Sequence, residues 1–104
     1  MVLLKRFGIG LQRARKSREL TQEDFSGVSS RTYLSSLERG MKAPTITKIH
    51  EIATVMGVHP ISLIAYAYLP SSSTERDRFW ATIAAEVESF FVDGADLTAS
   101  ENER

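Results

Sequence analysis

Helix-starting and helix-stopping residues alternate at short intervals through the middle of this chain. Thr21 suits an N-cap and Gly27 soon follows. Ser29 or Ser30 suits the next cap and Gly40 closes that segment. Thr45 caps a third segment that Gly57 ends, and Pro60 stands at a first-turn position of a fourth. Segments this short cannot hold themselves as isolated helices, so each must bury an apolar face against its neighbours. No stretch alternates apolar and polar residues in the way a half-buried strand does. The pattern predicts an all-α fold.

The apolar spacing places the faces. A first helix is expected over residues 3–17, where Phe7, Leu11 and Ala14 recur on one side and Lys5, Arg6, Arg13, Arg15, Lys16 and Arg18 surround them. Gly8 and Gly10 each weaken such a helix by about 1 kcal/mol relative to alanine, and they leave room for another backbone to approach. In "LTQEDF", Thr21 and Asp24 are spaced for a capping box, and Leu20 and Phe25 for a hydrophobic staple. The helix they start must be short. After Thr45, an apolar stripe of Ile46, Ile49, Ile52, Ala53 and Met56 is expected, and after Pro60, Leu63 and Ile64 point inward. Pro70 and "SSST" break the chain. A last helix is expected over about residues 74–92, with Phe79, Ile83, Val87, Phe90 and Phe91 at helical spacing and Trp80 and Ala84 beside them. The sum is five short helices and one longer one.

Composition narrows the function classes. The chain has 104 residues and no cysteine, which suits one domain with a tail in a reducing cytoplasm and excludes a disulfide framework. "ISLIAYAYL" is too short to cross a bilayer, and "MVLLKRFGIG" lacks the order of a signal peptide, so no membrane association is expected. Net charge is zero, but residues 1–48 hold ten Lys/Arg against four Asp/Glu, a net of +6, and residues 49–104 hold three against nine, a net of −6. One half therefore suits a polyanion and the other is repelled by it. His50 and His59 have no ligand pattern around them, so no metal or other cofactor is expected. No nucleophile elbow is present, Glu86 and Glu88 do not share a helix face, and "FGIGLQ" lacks the strand and third glycine of a phosphate loop. The chain does not read as an enzyme.

The segment "SSRTYLSSLERG" carries the chemistry. On a wheel of about 100° per residue, Leu34 and Leu37 define a buried side, with Thr32 and Arg39 nearly opposite. Ser35 and Ser36 flank them, Arg31 and Tyr33 lie at the borders, and Glu38 lies near the buried side. The outward face is made of small hydroxyls and guanidinium groups. A DNA major groove about 12 Å wide accepts one helix, arginine forks onto guanine, and serine or threonine donates or accepts at base edges.

Taken together, "LTQEDF", "SSRTYLSSLERG", "APTITKIHEIATVMGV" and "HPISLI", spread over about residues 4–66, resemble the phage-repressor/Cro-like (Xre) family of helix-turn-helix DNA-binding proteins. The resemblance implies a five-helix repressor-like domain over residues 1–69, here followed by an amphipathic helix over 70–93 and a flexible tail over 94–104. It implies that Arg31, Thr32, Ser35 and Ser36 read base edges, and that Tyr33, Arg39 and Lys42 hold phosphates. Gln22 is implied to contact phosphate and to brace the first reading residue; Lys48 joins the phosphate set. Arg15 and Glu38 match a structural ion pair between the first helix and the end of the recognition helix. Compared with the family pattern, "FSGVSS" is about two residues short, so the second helix or its turn must be compressed.

The last helix is too apolar to be left in water. Phe79, Trp80, Ile83, Val87, Phe90 and Phe91 are expected to form a homodimer contact, with "ISLIAYAYL" as a candidate second surface, while Glu75, Asp77, Glu86, Glu88, Asp93 and Asp96 keep this helix off DNA. The expected function is a DNA-binding transcriptional regulator, a repressor acting as a homodimer on a palindromic operator. The alternatives are an antitoxin with a toxin partner, a restriction-modification controller of its own operon, or a module that binds protein only.

Overall fold

A computed structural model describes residues 2–91. The tail expected at 94–104, with Asp93, lies outside the described residues. Every regular element among those described is helical: α1 (Val2–Ser17), a 3-10 turn (Gln22–Phe25), α2 (Arg31–Glu38), α3 (Ile46–Met56), α4 (Pro60–Tyr68) and α5 (Ser73–Ser89). The chain forms two compact units, one ending at Tyr68 and one starting at Leu69.

Side-chain caps set the helix starts in the first unit. Thr21 Oγ1 accepts from the Asp24 amide at 3.3 Å, and the Asp24 carboxylate accepts from the Thr21 amide at 2.7 Å, which closes the capping box. Ser30 Oγ accepts from the Tyr33 amide at 3.1 Å, and Thr45 Oγ1 from the Lys48 amide at 3.0 Å. His59 Nδ1 accepts from the Ile61 amide at 3.0 Å, so this histidine caps α4. Between the caps at Thr21 and Ser30 the bonds are mostly of the i to i−3 kind, Ser26 to Glu23 at 3.0 Å and Val28 to Phe25 at 2.9 Å. The second expected helix is accordingly a four-residue 3-10 turn, whose tighter bonding suits so short a segment.

The core of this unit joins Phe7 and Leu11 of α1, Phe25, Leu34 and Leu37 of α2, Ile52, Ala53 and Met56 of α3, and Leu63 and Ala67 of α4. Ile46 departs from the expected stripe and is 82% exposed. It is the first residue after the cap, about 60° round the helix from Ile49 and at the border of the buried face.

Two contacts seat the end of α2 directly on α1. A Cβ added at Gly8 would lie 2.4 Å from the Glu38 carbonyl oxygen and 2.6 Å from that of Leu37. Gly40, with φ of 73°, turns the chain at a point where a Cβ would meet the Lys5 backbone at 2.9 Å. Arginines from α1 and the turn just after it close the far ends of two other helices: Arg18 Nε donates to the Met56 carbonyl of α3 at 3.0 Å, and Arg6 Nε to the Ala67 carbonyl of α4 at 2.7 Å. A cation at a helix C-terminus satisfies an orphan carbonyl and complements the helix dipole.

Buried beneath α2 is a polar network. Arg15 forks onto Glu38, with Nε to Oε2 at 2.7 Å and Nη2 to Oε1 at 3.0 Å, and its Nη1 donates to the Leu20 carbonyl at 2.9 Å. Gln22 Nε2 donates to the same Glu38 Oε1 at 3.1 Å, and Gln12 Nε2 reaches it at 3.4 Å. The hydrogen bond to Glu38 is the main cause that raises the Arg15 pKa; burial opposes it, and the charge of Glu38 adds to it. A raised arginine pKa contributes stability below its unfolded value and loses it only as pH climbs through the folded one. The guanidinium therefore stays charged across the neutral range.

Two stability outcomes follow from these contacts. Gly8→Ala should lower the unfolding free energy by about 2 kcal/mol through overpacking, against alanine's better helix propensity. Gly27→Ala, with nothing within 4 Å of the added Cβ, should leave it nearly unchanged. Equal urea midpoints for the two variants would refute the close approach. Glu38→Gln should cost about 3 kcal/mol by leaving the buried guanidinium uncompensated. Replacing Arg15 and Glu38 together by methionine should cost less than the two single losses added; full additivity in the double-mutant cycle would contradict the coupling.

Candidate nucleic-acid interface

The fold uses α2 as a platform. Leu34 and Leu37 are 0% exposed and anchor one side of it, while Tyr33 is half-buried against the core. Arg31 and Thr32 occupy the first turn beside the Ser30 cap, and both are exposed. Ser35 is half-buried, whereas Arg39 and Lys42 are exposed at and just beyond the C-terminal end. The exposed first turn offers a guanidinium, a hydroxyl and the electropositive start of a helix together, a combination suited to phosphates and base edges.

Ser36 corrects the expected reading face, because it is only 8% exposed. A wheel treats a helix as buried on a single side. Here the chain reverses at Gly40, and the Met41 amide returns to the Ser36 carbonyl at 2.9 Å, which encloses the last turn on a side the wheel leaves open.

Gln22 lies at the start of the 3-10 turn, half-buried, with its amide nitrogen on Glu38. It joins Arg31, Arg15 and Thr21 around one shallow depression at the N-terminal end of α2. The buried ion pair thus holds both the C-terminal end of α2 and the glutamine beside its start.

The basic character of residues 1–48 divides into two kinds. Arg6, Arg15 and Arg18 are committed to carbonyls or carboxylates as described, and Arg13 Nη1 donates to the Tyr66 hydroxyl at 2.7 Å. Lys48, expected at phosphate, is also engaged: its ammonium donates to the Val28 carbonyl and pairs with Glu51 at 2.9 Å. The side chains of Arg31, Lys42, Lys5 and Lys16 make no hydrogen bond or ion pair with another described residue. Lys5 packs against Gly40 at the end of α2, so it adds a cation there that no motif assigned. Its signal in the sequence is only that it is one of many bases on the first helix.

The second unit is α5 with the segments that flank it. Ser72 Oγ accepts from the Glu75 amide at 3.1 Å, and Arg76 Nη1 donates to the Ser71 carbonyl at 2.7 Å, which fixes its start. None of the α5 residues is buried. The Phe79 and Trp80 rings meet edge to face, with centroids 5.0 Å apart. Trp80, Ile83, Val87, Phe90 and Phe91 are all exposed, Phe90 to 70%. Among the described residues, no helix is long and apolar enough to cross a membrane, and no three His, Asp or Glu side chains are grouped to hold a metal ion.

Comparison with known proteins places these features. A helix-turn-helix family model matches residues 11–63, which lie within the first unit. The chain is 39% identical over 66 residues to the uncharacterized HTH-type transcriptional regulator y4dJ of Sinorhizobium fredii (strain NBRC 101917 / NGR234), covering 62% of this chain and 86% of the relative. Its fold is similar to the crystal structure of the restriction-modification controller protein C.AhdI from Aeromonas hydrophila, with a TM-score of 0.55, 29% identity, and coverage of 58% of this chain and 94% of that one. With its capped 3-10 turn, its polar-fronted α2 and the Arg15–Glu38 pair beneath, the chain belongs to the helix-turn-helix family of DNA-binding transcriptional regulators, of the phage-repressor/Cro-like (Xre) type.

Proposed function

We propose that this regulator is a repressor that binds a palindromic operator in the cytoplasm as a homodimer, with the first turn of α2 in the major groove. The observation that carries this reading is the exposure of Arg31 and Thr32, Arg31 without an internal partner, on a helix that is otherwise anchored on both flanks. Arg31, Thr32 and Ser35 read base edges. Tyr33, Arg39 and Lys42 hold phosphates, and Gln22 braces Arg31 while it contacts the backbone.

The homodimer rests on apolar surface. Trp80, Ile83, Val87 and Phe90 follow a three-four-three spacing on α5, which is the seam of a paired helix. On α4, a helix without a charge, Ile61 and Tyr68 are exposed at i and i+7 with Ile64 between them. Two copies related by a two-fold axis would meet half-sites about one helical turn apart, about 34 Å. The likeness to C.AhdI favours one specific variant of this reading, control of a restriction-modification operon by its own product.

Selection of bound duplexes from a random pool should yield an inverted repeat. Arg31→Ala should relax the selected half-site at one position and cost about 1–3 kcal/mol on it, whereas Lys42→Ala should weaken all duplexes alike. Equal losses for both variants on selected and random duplexes would show the roles to be wrongly divided. Ile83→Glu combined with Val87→Glu should turn a sedimenting dimer into a monomer and lower operator affinity; a variant that still sediments as the dimer moves the interface elsewhere.

A further inference from the structure

The segment 26–30, which launches α2, is held from outside itself by a lysine. Val28 and Ser29 both donate backbone amides to the Phe25 carbonyl at 2.9 Å, and Ser30 then caps α2. The Val28 carbonyl points the other way and accepts from Lys48 Nζ, one turn into α3. Glu51, one further turn along α3, pairs with the same ammonium at 2.9 Å and fixes its direction. The Lys48 backbone amide donates in turn to the Thr45 cap, so the residue is held at its backbone as well as at its ammonium. A charge-assisted bond to a carbonyl in a partly buried setting is among the stronger ties available to a surface residue.

We propose that Lys48 is a positioning residue for base recognition rather than a phosphate contact. Its ammonium ties α3 to the Val28 carbonyl two residues before the Ser30 cap, and so sets the direction in which Arg31 and Thr32 leave the bundle. The inference rests on the reading of α2 as the groove-binding helix. A 3-10 turn of four residues has little internal bonding to hold that direction alone, and the tie to α3 supplies it.

The test uses the full chain and three variants: Lys48→Met, Lys48→Arg and Glu51→Gln. Binding to a duplex selected from a random pool and to a random duplex is measured over a series of salt concentrations. Lys48→Met should lose about tenfold on the selected duplex, the equivalent of one lost charge-assisted bond. It should hold its affinity for the random duplex and its salt slope. Lys48→Arg, which keeps a donor for the carbonyl, should restore selectivity, and Glu51→Gln should reduce it in the same sense as Lys48→Met. Amide exchange at residues 28–31 should quicken in Lys48→Met while exchange at Ile52 does not.

An equal loss on both duplexes with a salt slope lower by about 0.9 would overturn the proposal in favour of a phosphate contact. In that case Glu51→Gln would tighten binding to every duplex, the opposite sign to the expected one. Unchanged selectivity and unchanged exchange in Lys48→Met would overturn it as well. A native chain that binds no duplex at low salt would instead overturn the DNA-binding reading, and the exchange at residues 28–31 would still decide whether the tie to α3 exists.

Discussion

The Glu38 carboxylate is the point on which the first unit turns. It receives both prongs of the Arg15 guanidinium and the amides of Gln22 and Gln12. Those donors come from α1 and from the 3-10 turn, while Glu38 itself closes α2. One buried anion therefore fixes three elements to one another. Its desolvation is offset only because the fork geometry and the extra amides fill its lone pairs, and no buried side-chain polar atom among the described residues is left without a partner. The close approach at Gly8 is what brings the end of α2 near enough to α1 for Arg15 to reach.

This arrangement has a consequence for the basic half of the chain. An excess of cations near a helix-turn-helix reads naturally as a surface for a polyanion. Much of the excess is instead engaged within the chain, where Arg6 and Arg18 bond carbonyls at the C-terminal ends of α4 and α3. Short helices have many orphan carbonyls for their length, so a bundle built from them needs such donors. Lys16 at the end of α1 apart, what remains for a ligand is concentrated at the two ends of α2, with Arg31 at one and Arg39, Lys42 and Lys5 at the other. A narrow distribution of this kind favours orientation over bulk attraction.

The two units differ in how they treat apolar surface. The first encloses Leu34, Leu37, Leu11 and Phe25 completely. Among its described residues the second has one well-capped helix whose aromatic and branched residues stay largely exposed. A helix of 17 residues is marginal by itself in water, and its exposed apolar face is the surface that the proposed homodimer would cover.

Local rules made much of this protein legible in its sequence. The caps at Thr21 and Thr45, the choice of Ser29 or Ser30 that the structure resolves to Ser30, the left-handed turns at Gly40 and Gly57, and the anchors Leu34 and Leu37 all depend on residues a few positions apart, so spacing carries them. The fold class and the exposed pair Arg31 and Thr32 follow from the same local geometry. Tertiary structure decided the rest: the burial of Ser36, the exposure of Ile46, the diversion of Lys48 to Val28 and the use of the arginines as caps. Each depends on a partner from another element or on where the chain runs next, and a helical period carries no record of either. Helix faces are set by the residues they contain, but the fate of a charge is set by whatever carbonyl or carboxylate the fold brings within about 3 Å of it.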